Sequence, residues 1–220
     1  MRKLPRKFFN RPTIEVAIDL LGCRLVSHIG GVKTGGTIVE TEAYIGEDDP
    51  ACHASRGPTR RNRVMYGPPG YLYVYFTYGN HFMANIVTET ESFPAAVLLR
   101  GIEPLYDLGT MSRRRKTKDL FNIASGPGKL TRALGLTTGH NGTDLKGDTV
   151  FVSGPSDNTG RIMASPRIGI GQGGSEKLWR FYLENNPHVS RGSAYNKRHC
   201  YDLEYAGNIN FSIESESTID

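Results

Sequence analysis

Two carboxylates and a run of aromatic residues are the side chains in this sequence best suited to chemistry. In residues 37–44, T-I-V-E-T-E-A-Y, the residues Glu40, Glu42 and Tyr44 alternate and therefore share one face of an extended strand. Two carboxylates on one face suit the acid and base of a hydrolase, and they equally suit a solvated strand surface. Their apolar company, Ile38 and Val39 before and Ala43 beside Tyr44, argues for partial burial, where a carboxylate is costly unless paired or catalytic. Residues 71–87, Y-L-Y-V-Y-F-T-Y-G-N-H-F-M-A-N-I-V, place Tyr71, Tyr73 and Tyr75 on one strand face and Leu72, Val74 and Phe76 on the other. Tyr78 falls out of step, and Gly79-Asn80, a dipeptide tolerant of positive φ, is expected to turn a hairpin with Tyr78 at or near its tip. The returning strand, 82–87, contains Asn85, an amide that needs a partner if buried. Such a hairpin can hold one flat ring on its face and push another aside with its tip. His53 is a candidate for orienting a ligand, although a loop histidine often has no special role. The adjacent Cys52-His53 pair has no third and fourth ligand at metal-binding spacing, so neither a metal nor another cofactor is expected.

The elements that must position these residues follow from periodicity and turn chemistry. Ile14, Ala17, Ile18 and Leu21 fall at helical spacing after Pro12-Thr13, and Gly22 stands where a helix stops. Residues 23–29 have strand character, Gly30-Gly31 can turn, and 36–44 return, an antiparallel pair. Residues 46–63 are polar and aperiodic, with Arg56, Arg60, Arg61 and Arg63 near their end, and read as a long loop. Residues 95–99 are β-like and end at Arg100. Residues 104–118 are expected to be helical with a basic end, Arg113, Arg114, Arg115, Lys116 and Lys118, which either complements the helix dipole or meets phosphate. Ser125 to Gly128 form a turn expected to cap a helix over 129–134 that Gly135 closes, and its amides could hold a phosphate. Residues 144–153, 168–170 and 179–183 have strand or short-element character. The fold expected is α+β: a single domain with a curved, mostly antiparallel sheet, short helices packed outside and a protruding β-hairpin.

At 220 residues the chain can bury one sizeable core, and it shows no linker, internal repeat or low-complexity run. A domain over 1–203 followed by an acidic, Ser-containing tail over 204–220 is expected. Residues 1–199 hold all 27 Lys and Arg but only 17 of the 22 acids, a net +10 that suits a polyanionic partner. Three scattered cysteines, Cys23, Cys52 and Cys200, match no disulfide framework and fit a reducing, intracellular setting. The basic start M-R-K-L-P-R-K-F-F lacks a signal-peptide core, and no stretch approaches the roughly 20 apolar residues of a membrane span. A soluble, intracellular protein with no membrane association, acting as a monomer, is the expectation.

At these residues the sequence resembles the alkyladenine, or 3-methyladenine, DNA glycosylases of the type found in mammals and many bacteria. The matching stretches are F-F-N-R-P-T with A-I-D-L-L-G near the start, I-V-E-T-E-A-Y-I-G at 38–46, H-A-S-R-G-P-T-R-R-N-R at 53–63 and P-G-Y-L-Y-V-Y-F-T-Y-G at 69–79. They continue with A-N-I-V at 84–87, V-L-L-R at 97–100, E-P-L at 103–105, S-G-P-G-K-L at 125–130, R-I-G-I-G at 167–171 and R-F-Y at 180–182. The resemblance runs in family order from Phe8 to Ser190. It implies duplex DNA containing damaged purines as the partner and substrate, with a base that must leave the helix before it is cut. It also implies Tyr78 as the wedge that fills the vacated stack, and Tyr44, His53, Tyr75 and Asn85 as the base pocket. Glu42 is implied as the general base that activates water, Arg100 as its partner, and Arg60, Arg61 and Arg63 as a loop contacting the DNA backbone. Tyr73 is implied to support the pocket by packing. Two departures stand out: Thr59-Arg60-Arg61-Asn62 where the family usually has T-P-R-N, and Asn80 where it commonly has Met. Two other readings compete, a non-catalytic nucleic-acid-binding module and an RNA-modifying domain. Glu42 argues against the first, since a carboxylate facing such a pocket repels phosphate; the second predicts preference for RNA over duplex DNA. The candidate bases, 3-methyladenine, 7-methylguanine, hypoxanthine and ethenoadenine, are separated by pocket shape rather than by motif.

Overall fold

The chain opens with two short helices, α1 (Arg6–Phe9) and α2 (Thr13–Asp19), which follow Pro5 and Pro12, at positions where a missing N–H costs nothing. The computed structural model describes residues 1–155, 160–171, 173–192 and 201–202. The expected domain boundary at 203 and the acidic tail 204–220 lie outside the described residues. Helix α2 buries Val16, Ala17 and Ile18, and Gly22, with φ 82°, releases the chain into β1 (Cys23–Ile29). Gly30 and Gly31, at φ 68° and 71°, turn it into β2 (Val32–Ile45), which is longer than the expected 36–44.

The aromatic hairpin is β3 (Leu72–Thr77) with β4 (His81–Val87). Next comes β5 (Ala95–Tyr106), which overturns part of the helix expected over 104–118. Pairing with β2 continues through Gly36↔Pro104 and Gly35↔Tyr106, and the two strands lie so close that a Cβ on Gly36 would stand 2.0 Å from the Glu103 carbonyl oxygen. Helix α3 (Leu108–Arg115) begins only after Asp107, whose side chain accepts from Thr110 N–H. Helix α4 (Pro127–Leu134) starts two residues before the expected 129 because Pro127 is itself a good first helical residue, and it ends at Gly135 with φ 76°. Strands β6 (Val150–Pro155), β7 (Ile162–Ser165), β8 (Arg180–Leu183) and β9 (Tyr201–Asp202) complete the sheet. Residues 144–149 and 168–170 are turns and irregular backbone rather than the strand character expected of them.

The result is a single α+β domain around a nine-stranded antiparallel sheet, in the order β3-β4-β5-β2-β8-β7-β9, with β1 joining β2 to β6. One face is apolar: Leu72, Val74, Ala84, Ile86, Val97, Leu99, Ala43 and Phe181 join Val16 and Ala17 of α2 and Leu130, Ala133 and Leu134 of α4 in one core. Each of its larger aliphatic side chains contributes ~1.5–3 kcal/mol by leaving water. With that face committed, period two sends the alternate residues to the other face, where the candidate site lies.

Candidate active site

One row of cross-strand partners carries the site. Tyr73 pairs with Asn85, Asn85 with Leu98, Leu98 with Glu42 and Glu42 with Arg180, so a line of side chains crosses β3, β4, β5, β2 and β8 on the face away from the core. Between β2 and β5 the register slips: Glu40 pairs with Gly101 and Thr41 with Leu99, leaving Arg100 unpaired. A bulge of this kind re-aims a side chain. Here Arg100 Nε donates to Glu40 Oε1 at 3.0 Å and Nη1 to Glu42 Oε2 at 3.2 Å, so one guanidinium spans both carboxylates. Gly101 makes room, since a Cβ there would meet His188 O at 3.0 Å and Glu40 Oε2 at 3.3 Å.

Both glutamates are 0 % exposed, which removes the reading of a solvated strand surface. Glu42 Oε1 accepts from the Ile168 amide at 2.7 Å, and Oε2 accepts from Tyr44 OH at 2.9 Å as well as from Arg100. Glu40 accepts from Arg100, from Arg180 Nε at 2.7 Å, and from the amide and hydroxyl of Ser190 at 2.7 and 2.8 Å. Burial alone would raise the Glu40 carboxyl, but Arg100, Arg180 and the Ser190 amide together hold it below the usual range. Burial and the neighbouring Glu42 push the Tyr44 phenol well above its ordinary value, so it remains a donor. Although burial opposes it, the two carboxylates keep Arg100 firmly charged. Behind Tyr44, Arg167 and Asp49 form a buried bidentate pair at 2.6 and 2.7 Å, with the guanidinium 4.7 Å from the Tyr44 ring centre and 5.0 Å from that of Trp179.

Beside this ionic wall lies a cavity of about 470 Å³, lined by Tyr44, His53, Tyr73, Tyr75, Tyr78, Asn85, Arg100 and Ile168 among others. The three groups that donate to Glu42 thus all line the cavity, and the carboxylate sits directly behind them. The His53 ring packs on Tyr75 with centroids 4.4 Å apart, and its Nδ1 is 2.8 Å from Tyr73 OH. Burial raises the Tyr73 phenol, so its hydroxyl stays protonated beside this ring nitrogen. Desolvation and the charge of Arg61 lower His53 itself to about 4. Asn85 donates from Nδ2 to Tyr73 O at 3.0 Å, which supplies the partner that its burial demands.

The hairpin turn differs from the expectation by one residue. Tyr78 and Gly79, at φ 52° and 70°, occupy the centre, and Asn80 N–H donates back to Thr77 O at 3.3 Å. Tyr78 is therefore the tip itself and is 75 % exposed. Arg60 and Arg63 are exposed on the preceding loop. Arg61 instead leans on the hairpin, donating to Phe76 O at 3.2 Å with its guanidinium 4.9 Å from the Tyr75 ring centre. The loop is irregular, as expected, but it is tied in by Asn62, which donates to His53 O and Gly57 O and accepts from Thr59. Asp49, Arg167, Arg180 and Ser190 were not legible as site residues, because nothing in their spacing pairs them; R-I-G-I-G and R-F-Y were recognisable only as motifs. Among the described residues no three His, Cys, Asp or Glu converge as metal ligands.

Comparison with known proteins bears on what this arrangement does. The family model described as methylpurine-DNA glycosylase matches residues 7–187. A protein of Methanocella arvoryzae named "Putative 3-methyladenine DNA glycosylase" is 49% identical over 196 residues, covering 87% of this chain and 97% of the relative. One of the same name from Chlorobaculum tepidum is 47% identical over 193 residues, covering 87% and 92%.

Proposed function

The chain belongs to the methylpurine-DNA glycosylase family, and from that premise we propose that it hydrolyses the N-glycosidic bond of damaged purines flipped out of duplex DNA. The observation that carries this reading is a fully buried Glu42 whose three donors, Tyr44, Arg100 and Ile168, line a cavity that His53, Tyr73 and Tyr75 also line. Tyr78 at the tip enters the minor groove and fills the stack that the base leaves, offsetting an unstacking cost of a few kcal/mol. The flipped ring lies among Tyr44, His53 and Tyr75, whose π faces favour a ring made electron-poor by alkylation. Asn85, held at Tyr73 O, presents its amide to the purine edge and disfavours the exocyclic amine of guanine. Exposed Arg60 and Arg63 meet backbone phosphates, so binding weakens steeply with salt.

Glu42 takes the proton of a water that attacks the anomeric carbon, the carbon–nitrogen bond breaks, and its electron pair leaves with the purine, giving an abasic site. The sugar passes through an oxocarbenium-like state that the nearby carboxylate also stabilises electrostatically. Arg100 holds both Glu42 and the attacking water. To test this, a duplex carrying hypoxanthine or ethenoadenine is incubated with the protein and with Glu42→Gln, then treated with alkali to cut abasic sites. Strand scission with the parent chain and a loss of about 100-fold or more in the variant is the expected result. Equal scission by both removes Glu42 as the base. Tight binding with no scission by either, on these and on methylated duplexes, supports the non-catalytic binding module instead.

A further inference from the structure

Glu40 is a second carboxylate beside Glu42 that burial makes costly. Its four donors are arranged around Arg100. Glu40 holds Arg100 Nε; Ser190 Oγ, itself bonded to Glu40, accepts from Arg100 Nη2 at 3.2 Å; only Nη1 is directed at Glu42. Arg180 lies on the other side of Glu40 and donates from Nη1 to Ser165 Oγ at 2.9 Å and from Nη2 to Ser190 O at 3.2 Å. Glu40, Glu42, Arg100 and Arg180 thus sum to zero charge. Arg100, a donor to Glu42, is thus fixed on two of its three nitrogens by the Glu40–Ser190 pair.

We propose that Glu40 is a positioning residue that, with Ser190, orients Arg100 and cancels the charge of Arg180, so that Glu42 works in a neutral ionic cluster. This rests on the reading of Glu42 as the base. Without Glu40, two guanidiniums would flank Glu42 with one surplus positive charge, at the place where a proton must be accepted and positive charge develops on the sugar. The charged and titratable groups that face this pair are Arg100 from β5, Arg180 from β8, Tyr44 from β2, Tyr75 from β3 and Arg167 from the segment after β7. Among the described residues only Glu40 supplies a second negative charge within hydrogen-bonding reach of Arg100.

The test is single-turnover excision of hypoxanthine from a duplex between pH 5 and 9, together with duplex affinity and a thermal melt. The chains compared are the parent, Glu40→Gln, Ser190→Ala and Glu40→Gln/Arg180→Gln. Glu40→Gln is expected to excise about 10- to 100-fold more slowly, with affinity within about twofold of the parent. Its acid limb should move toward lower pH, because a surplus positive charge beside the site disfavours the uptake of a proton there. The double variant restores neutrality and should return the limb to its parental position. Ser190→Ala keeps every charge and should slow excision by about 3- to 10-fold with the limb unmoved, the loss expected for one positioning hydrogen bond. A slow Glu40→Gln whose limb does not move, or a limb that stays displaced in the double variant, reduces Glu40 to a structural role and overturns the proposal. If Glu40→Gln does not fold, an unchanged rate in Ser190→Ala overturns it. Full activity in Glu42→Gln would instead remove the base assignment, an outcome separate from any of these.

Discussion

The two walls of the cavity are built from opposite physics. On the hairpin side Tyr73, Tyr75 and His53 touch ring to ring, with centroids 4.4 to 5.9 Å apart. On the other side Glu40, Glu42, Asp49, Arg100, Arg167 and Arg180 are all buried, each carboxylate matched by a guanidinium. An aromatic pair adds ~0.5–1.5 kcal/mol beyond its area, so one ring can change without stranding its neighbours. A buried ion pair behaves differently: removing one partner leaves an unpaired charge and costs ~3–5 kcal/mol, while replacing both together can be neutral. The wall assigned to the reaction is therefore all-or-none, and the wall assigned to the base is adjustable.

The largest effect expected from this contrast is on stability. Asp49→Ala should lower the unfolding free energy by ~3–5 kcal/mol by stranding Arg167, and Asp49→Ala/Arg167→Met should recover most of that loss, read from denaturant midpoints. Equal losses in the single and double variants would show that the ionic wall is not all-or-none. Next is the hairpin tip. Tyr78→Gly relieves a left-handed tyrosine at φ 52° but adds chain entropy to the unfolded state, so its melting temperature should stay near the parental one. Its excision from duplex should fall about 10- to 100-fold, as a few kcal/mol of unstacking help is lost, with much less change on single strands. Equal losses on both substrates would remove the wedge. On the aromatic wall itself, Tyr73→Phe keeps the ring and removes the phenol's hydrogen bonds to His53 and Arg61, and should cost ~1 kcal/mol. A loss as large as that of Asp49→Ala would make the two walls alike.

How much of this was legible in the sequence differs between the walls in the same way. Period two placed Tyr73 and Tyr75 on a common face and the turn chemistry put Tyr78 near a tip, because those signals are local. The one-residue error at the turn arose because Tyr78, not Asn80, takes the positive φ beside Gly79. The shared face of Glu40 and Glu42 was also local, but their full burial was not, since it depends on Arg100, Arg180 and Ser190 arriving from distant segments. Asp49 and Arg167 are 118 residues apart, and neither carries a pattern that predicts the other. The start of the helix expected over 104–118 failed for a related reason: Gly35 and Gly36, far away in the chain, let β5 run on through Pro104 to Tyr106, so that the helix covers only Leu108–Arg115.

Acidification separates the two walls, with the smallest effect of the four. His53, lowered to about 4 in the folded protein, stays neutral there while the unfolded chain takes up a proton near its ordinary 6.5. Its contribution to stability is therefore fully present above about pH 6.5 and is lost as the pH falls toward 4. Glu40 is held below its ordinary 4.5, so its contribution is present above that value and is lost only as the pH falls through the folded one. Between about pH 4.5 and 6.5 the stability contribution of His53 is being lost while that of the Glu40 carboxylate is not. His188, also lowered by burial, is common to the parent and to His53→Gln, so the difference between those two chains isolates His53. Denaturant midpoints at pH 5 and 7 should fall further in the parent than in the variant, by a modest amount because solvent at the cavity mouth screens the ring. Parallel curves would mean that His53 protonates freely, and would place the aromatic wall in water rather than in a desolvated cavity.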